Sequence, residues 1–269
     1  MDNSASLQGR WALILGVSSG FGAAAARALA RAGMHIFGIH LDSRSTQSRA
    51  AAVRADIETA GRQALFFNAN AADSQKRIQL VDSIAKTLQD QEAPAVHLML
   101  HSLAFGSLKP FITDNPQTAT TEAQMDMTLR VMAHSLVYWT QDLLRADVLV
   151  RGSRIFALSS AGAHRVIKPY GAVSAAKAAL ESHMRQLALE LAPLGIAVNC
   201  LMPGVADTPA SRAIPGASDL LGQVAARHPA GRLTTPEDVA AVIVALADPR
   251  ITWLSGAVIP VDGAESIVG

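Results

Sequence analysis

A tyrosine and a lysine seven positions apart, Tyr170 and Lys177, are the residues of this sequence best suited to chemistry. They lie in SSAGAHRVIKPYGAVSAAKAAL (159–180), and Tyr170 is one of only 2 tyrosines in the chain. From Ala172 onward the run is rich in Ala and Leu with no interior Gly or Pro, which predicts a helix. Seven residues make almost two turns, so the two side chains are expected on one face, roughly 10 Å apart along the axis. An ammonium beside a phenol favours the phenolate and is expected to lower the phenol pKa, an arrangement fit for acid catalysis. Ser160, ten positions before the tyrosine, adds a hydroxyl that can orient Tyr170 or simply cap a strand end. Alone, the pair fits a surface lysine and a half-buried tyrosine on one helix better than it fits a catalytic pair. The elements upstream decide between these.

Residues 11–17, WALILGV, have the length and apolarity of a buried parallel strand. The turn Gly16-Val17-Ser18-Ser19-Gly20-Phe21-Gly22 follows, then a small-residue helix closed by Gly33. Glycines let backbone approach phosphate, and free N–H groups with the helix dipole favour the anion, so this turn is expected to hold a dinucleotide pyrophosphate. A second strand, His35–His40, ends where an acid would accept from the NADH ribose and a base would pair with the NADPH 2′-phosphate. His40 stands at that position, with Asp42 and Arg44 beyond it. The missing acid, with Arg44 and Arg49 nearby, favours NADPH; Asp42 pulls toward NADH. After a helix over 50–60 and a third strand over 64–69, Asn70 and Ala71 stand where adenine contacts are expected, or where an ordinary strand-end turn lies. Asp73 or Ser74 is expected to cap the next helix.

A fourth apolar strand (95–105) runs into His101-Ser102-Leu103-Ala104, and a loop rich in Thr follows. One long helix is expected over 122–146, a fifth strand over 153–158 and a sixth over 195–204, with Pro193 stopping the helix that carries Lys177. Residues 205–226, rich in Ala, Pro, Gly and Ser, suit a mobile lid. Thr235 is expected to cap a helix over 235–248, and a last strand spans 256–263. Strands alternating with helices imply a single α/β domain: a doubly wound parallel sheet of about seven strands with ligands at the C-terminal strand ends. The cofactor half is expected over about 8–150, the catalytic helix and lid over about 151–230.

Composition narrows the function classes. A chain of 269 residues, 50% hydrophobic and 17% charged, can bury a large core, and its formal net charge of +1 offers no field for nucleic acid. No apolar stretch reaches the roughly 18 residues of a membrane span, and residues 1–9 lack the order of a signal peptide. The single Cys200 excludes an internal disulfide and a cysteine metal cluster. His134, His164, His183 and His228 share no metal-ligand spacing, so no metal site is expected. A cytoplasmic location is expected.

Taken in order, the Gly16/Gly20/Gly22 turn, Ser160, the Tyr170/Lys177 pair, Asn199…Pro203-Gly204, GRLTTPEDVA (231–240) and SGAVIPVDGA (255–264) resemble the short-chain dehydrogenase/reductase family, with its Rossmann fold. Three departures narrow the resemblance. Val173 stands four residues before Lys177, where most members have tyrosine, so the motif is Tyr-x6-Lys. HSLA (101–104) replaces Asn-Asn-Ala-Gly, and Met132 replaces a structural Asn. All three are similar to the enoyl-[acyl-carrier-protein] reductases, and Ser160 to their branch with serine, commonly NADPH-using. Leu15, where the family often has Thr, is a further departure.

The resemblance implies reduction of a trans-2-enoyl thioester, with Tyr170 as donor to the thioester oxygen and Lys177 on the cofactor ribose. It also implies that His101, Ser102 and Leu103 line the nicotinamide ribose through backbone, that Pro203, Gly204, Val205 and Thr208 meet the carboxamide and pyrophosphate end, and that the protein is a homotetramer. Moving the phenol three residues, about 4.5 Å along a helix, is the right order of displacement to take the acid from the hydride-accepting carbon to the oxygen two bonds further out. Two alternatives stay open: a carbonyl reductase of the same fold, and a nucleotide-binding protein without catalysis. Carrier protein and coenzyme A are both open as the thioester, with Arg212, Arg227 and Arg232 as a candidate carrier-binding patch.

Overall fold

The computed structural model describes residues 4–268; of the stretch 1–9 read for targeting, residues 1–3 lie outside the described residues. Seven strands form one parallel sheet in the order β3-β2-β1-β4-β5-β6-β7: β1 Trp11–Leu15, β2 His35–His40, β3 Ala64–Asn68, β4 Val96–His101, β5 Arg154–Leu158, β6 Ala197–Pro203 and β7 Val258–Val261. Strands β1, β4 and β5 are buried at every position, as expected of a parallel sheet covered on both faces. One face packs on Trp139, Leu136, Leu180 and Met184, the other on Leu29, Ile243 and Val239. The order reverses between β1 and β4, which opens a crevice at their C-terminal ends.

After a single helical turn at Ser4–Leu7, the helices are α1 Gly20–Arg31, α2 Gln47–Thr59, α3 Ser74–Asp90, α4 Glu122–Leu129, α5 Ser135–Arg145, α6 Gly171–Leu191, α7 Pro209–Arg212, α8 Ala217–Arg227 and α9 Pro236–Leu246. Asp73 caps α3, accepting from Lys76 N–H at 3.0 Å. Thr235 and Asp238 form a capping box at α9, as its sequence predicts. Two expectations need correction. The helix expected over 50–60 begins earlier, at Gln47. The single helix expected over 122–146 is α4 and α5 joined by a π turn, Arg130–His134, which widens the backbone beside α6. The 205–226 segment carries two helices, α7 capped by Thr208 and α8 beginning at Ala217.

Two histidines of β4 are buried as neutral bases. His97, its Nε2 2.7 Å from the Ala247 carbonyl, is held at about 4, burial outweighing that bond. His101 is held at about 3, by burial first and then by Lys177. Both folded pKa values lie below the ordinary 6.5, so the unfolded chain binds more protons and stability falls as pH drops below 6.5. Each group is expected to cost about 2 kcal/mol between pH 6.5 and pH 5. Tm recorded across this window should fall, less steeply in His97→Gln; a flat wild-type profile would contradict it.

Candidate functional site

The glycine turn is built by close approach. A Cβ on Gly16 would stand 2.4 Å from the Ser102 carbonyl oxygen, and one on Gly22 would stand 2.0 Å from the Gly16 oxygen. Gly16 (φ +92°) and Gly20 (φ +53°) also occupy left-handed backbone. Ser19 precedes α1 without a side-chain cap bond, so the first-turn N–H groups of a 12-residue helix face the cleft. That cradle, closed to any side chain, fits a pyrophosphate. Thr208 arrives from the far side, its methyl 3.6 Å from a Cβ built on Gly20. Ser18, Ser19, Gly20 and Thr208 thus share a cleft of ≈ 400 Å³, joined by Arg27 and Arg49; Phe21 turns inward onto the core.

At the end of β2, His40 Nδ1 meets Asp42 Oδ2 at 2.8 Å, and both side chains are almost fully buried. Hydrogen bonds from Thr46, Ser18 and His40 overcome burial and hold the Asp42 carboxyl below its ordinary range. His40 therefore faces Asp42, while Arg44 and Arg49 are exposed. Asn70 is used locally: its side-chain oxygen accepts from Ala72 N–H at 2.9 Å, a strand-end turn, and buried Ala71 accepts from Trp139 Nε1 at 2.9 Å.

The end of β4 presses on the glycine turn, with Leu103 against Gly16 and Ser102 Oγ against Gly22. The Ser102 carbonyl abuts Gly16, so its direction is toward the turn. At the end of β6, Pro203 pairs with Val261 and Gly204 packs closely on the C-terminal segment, where a Cβ would stand 2.3 Å from Thr234 Oγ1. The Val205 N–H is already committed, donating to Glu265 Oε2 at 2.8 Å.

Around the tyrosine, two expectations are corrected. Tyr170 is not within the helix; it is the residue before α6, with φ −99° and ψ 8°, preceded by a cis Lys168–Pro169 bond. Nor is its phenol acidified. Burial raises the Tyr170 pKa, and a hydrogen bond with Ser160 offsets this only in part. Lys177 is not among the groups that shift it: burial and the Ser160 bond account for the direction. Gly162 lies flat on the ring, where a Cβ would stand 2.6 Å from Cε1.

Lys177 is 5% exposed, and its Nζ donates to the Leu158 carbonyl at 2.7 Å. Burial brings its pKa down to about 8, against the pull of Cys200 and Glu181. Sequence reasoning missed Glu181, though its place one turn after Lys177 was a readable signal. This buried carboxylate accepts from Ser159 Oγ and lies 3.0 Å from His164 Nε2, so it ties the end of β5 and the Tyr170 loop to α6. Val173, at the position of the missing tyrosine, is buried with Met132 and Ala176 in an apolar cluster against which Tyr170 packs.

The comparisons agree with this geometry. A family model described as "Enoyl-(Acyl carrier protein) reductase" matches residues 16–264. Cyclohexanol dehydrogenase from Rhodococcus sp. (strain TK6) is 30% identical over 98% of this chain and 98% of its own. The chain belongs to the short-chain dehydrogenase/reductase family. Among solved structures, an enoyl-[acyl-carrier-protein] reductase (NADH) from Aquifex aeolicus VF5 superposes with TM-score 0.83, 25% identity and 98% coverage of both chains. A short chain dehydrogenase from Burkholderia cenocepacia J2315, in complex with NADP, gives 0.82 at 29% identity over 97% of this chain and 99% of that one. As a family member, the chain is an NAD(P)-dependent oxidoreductase. Among the described residues no group of three or more metal-ligating side chains occurs, and no helix is long and apolar enough to cross a membrane.

Proposed function

We propose that this reductase transfers hydride from NADPH to the β-carbon of trans-2-enoyl thioesters, saturating their C=C bond. The observation that carries this is the pairing of Val173 with Tyr170. Four residues before Lys177 the side chain is apolar and packed against Met132, so the hydroxyl available to the substrate is the one at the start of α6. When bound, the cofactor supplies the hydride; the remaining work falls to the chain. Lys177 holds the ribose hydroxyls and keeps positive charge beneath the site. Tyr170 donates a hydrogen bond to the thioester oxygen as negative charge builds there, and the resulting enolate takes a proton from water at its α-carbon, which completes the saturation. The raised pKa of Tyr170 suits this: a neutral phenol keeps its proton and donates, whereas a phenolate could only accept. Ser160 orients the phenol.

NADPH is proposed over NADH because Asp42 is engaged by His40, Ser18 and Thr46 while Arg49 lines the cleft and Arg44 is exposed. One lost charge-assisted bond corresponds to about a tenfold change, so Arg49→Ala should weaken NADPH about tenfold and leave NADH unchanged, read as Kd by titration. Equal weakening of both would contradict it. Assembly as a homotetramer, a cytoplasmic setting in fatty-acid synthesis and delivery of the acyl group by an acyl carrier protein belong to the same proposal. Of the three arginines offered for a carrier, Arg212 and Arg232 pair with Asp207 and Asp238, which leaves Arg227.

A second reading, carbonyl reduction with Tyr170 as acid, is favoured by the similarity to cyclohexanol dehydrogenase. Initial rates with crotonyl and acetoacetyl thioesters side by side separate the two: the first proposal requires the crotonyl thioester to be the better substrate.

A further inference from the structure

His101 ends β4 with its ring wholly enclosed. Its Nε2 lies 2.7 Å from Ser135 Oγ, and that hydroxyl donates to the Val131 carbonyl at 2.6 Å. A serine has one hydroxyl proton. With it directed at Val131, Oγ must accept from His101, so Nε2 carries the ring hydrogen and Nδ1 is a bare lone pair. Among the described residues, Nδ1 is a buried side-chain atom with no hydrogen-bond partner. Folded proteins seldom leave such an acceptor dry; one internal water is the usual solution.

The charged neighbour is Lys177, which bears on the His101 ring electrostatically. Its ammonium has three protons to place, and one goes to the Leu158 carbonyl. The other titratable groups bearing on it are Glu181 of its own helix and Cys200 of β6. Glu181 is occupied by Ser159 and His164, and the Cys200 thiol, pushed up to about 12 chiefly by burial, stays protonated. Met132, on the π turn, lies in the apolar cluster with Val173 and Ala176 and brings only a thioether, a weak acceptor. An ammonium with protons beyond its bond to Leu158 and an imidazole nitrogen with no partner are therefore both buried, the first bearing electrostatically on the ring of the second.

We propose that His101 is a positioning residue for Lys177, its Nδ1 accepting from one internal water that itself accepts from the Lys177 ammonium. The neutral ring serves as a fixed acceptor, and Ser135, anchored on Val131 just after the π turn, sets its tautomer. The water holds Lys177 protonated and aimed at the ribose. The proposal rests on the role given to Lys177 under the proposed function, and it is independent of whether C=C or C=O is reduced.

His101→Leu is the direct test. Ser135 keeps its bond to Val131, so no new polar orphan arises and the fold should persist. An acceptor on the ammonium favours its charged form. Without it, Lys177 should titrate about one unit lower, and the alkaline limb of NADPH binding, followed as Kd between about pH 6 and pH 10 without substrate, should move acidward by that amount. His101→Gln, which retains an acceptor oxygen and an N–H donor, should move the limb back toward wild type. A crystal structure of the wild type should show one ordered water within hydrogen-bond distance of both Nδ1 and Lys177 Nζ. An unmoved limb in His101→Leu together with a raised Tm is what removing a dry, unpaired nitrogen would give, and it would overturn the proposal. Because binding is read without substrate, loss of enoyl selectivity elsewhere leaves this result intact.

Discussion

Tyr170→Phe is expected to lower kcat on a trans-2-enoyl thioester by about 10²–10³ while leaving NADPH affinity and Tm close to wild type. The ring stays packed on Gly162 and against Met132 and Val173, so the substitution removes one hydroxyl and little else. The partner left behind is Ser160, whose Oγ still accepts from Gly162 N–H at 3.1 Å, so no buried hydroxyl is stranded. The effect should fall on kcat more than on KM, because the donor matters most when charge has moved onto the thioester oxygen. Steady-state kinetics with crotonyl thioester decide it, and turnover equal to wild type would remove Tyr170 from the mechanism. The pH profile adds a second check. With the phenol raised by burial and Lys177 brought down to about 8, the alkaline limb should follow Lys177 and be the same in Tyr170→Phe.

Gly22→Ala is expected to weaken NADPH binding by at least about 100-fold. The new Cβ would sit 2.0 Å from the Gly16 oxygen and 2.9 Å from its carbonyl carbon. Both neighbours are backbone, so the clash cannot be relieved by turning a side chain. The turn has to open, and with it the cradle for the pyrophosphate. Isothermal titration gives the affinity, and thermal melting shows whether the fold survives. Gly222→Ala, in α8, is the control, since nothing lies within 4 Å of its Cβ; it should bind NADPH as wild type does and gain about 0.5–1 kcal/mol from helix propensity. Equal affinity in both variants would mean that the turn does not hold the cofactor.

Much of this arrangement was legible in the sequence because it rests on local patterns. Apolar runs such as 11–17, each followed by a glycine or polar turn and a helix, define a parallel doubly wound sheet almost by themselves. Thr235-Pro236-Glu237-Asp238 reads as a helix start and is one. The Tyr170-x6-Lys177 spacing with Val173 between them points to the displaced acid, and the packing of Val173 on Met132 gives that spacing a physical cause. What could not be read depends on neighbours distant in the chain. The direction of the Tyr170 shift follows from burial, which spacing does not encode. The π turn at Arg130–His134 lies in a stretch whose composition reads as ordinary helix. Asn70 is as polar as an adenine contact requires, yet its oxygen caps Ala72. The Val205 N–H is claimed by Glu265, 60 residues later. The bare Nδ1 of His101 exists only because Ser135, 34 residues on, fixes the other ring nitrogen.

The most direct test of enoyl reduction follows the hydride itself. Incubated with NADPH deuterated at the transferred position and equal amounts of crotonyl and acetoacetyl thioesters, the enzyme should place deuterium on the β-carbon of a butyryl thioester, at least about tenfold faster than on any other product. Deuterium found instead on the carbinol carbon of a 3-hydroxybutyryl thioester, with the crotonyl thioester unconsumed, would show that Tyr170 serves a carbonyl at the hydride-accepting carbon and would contradict the account.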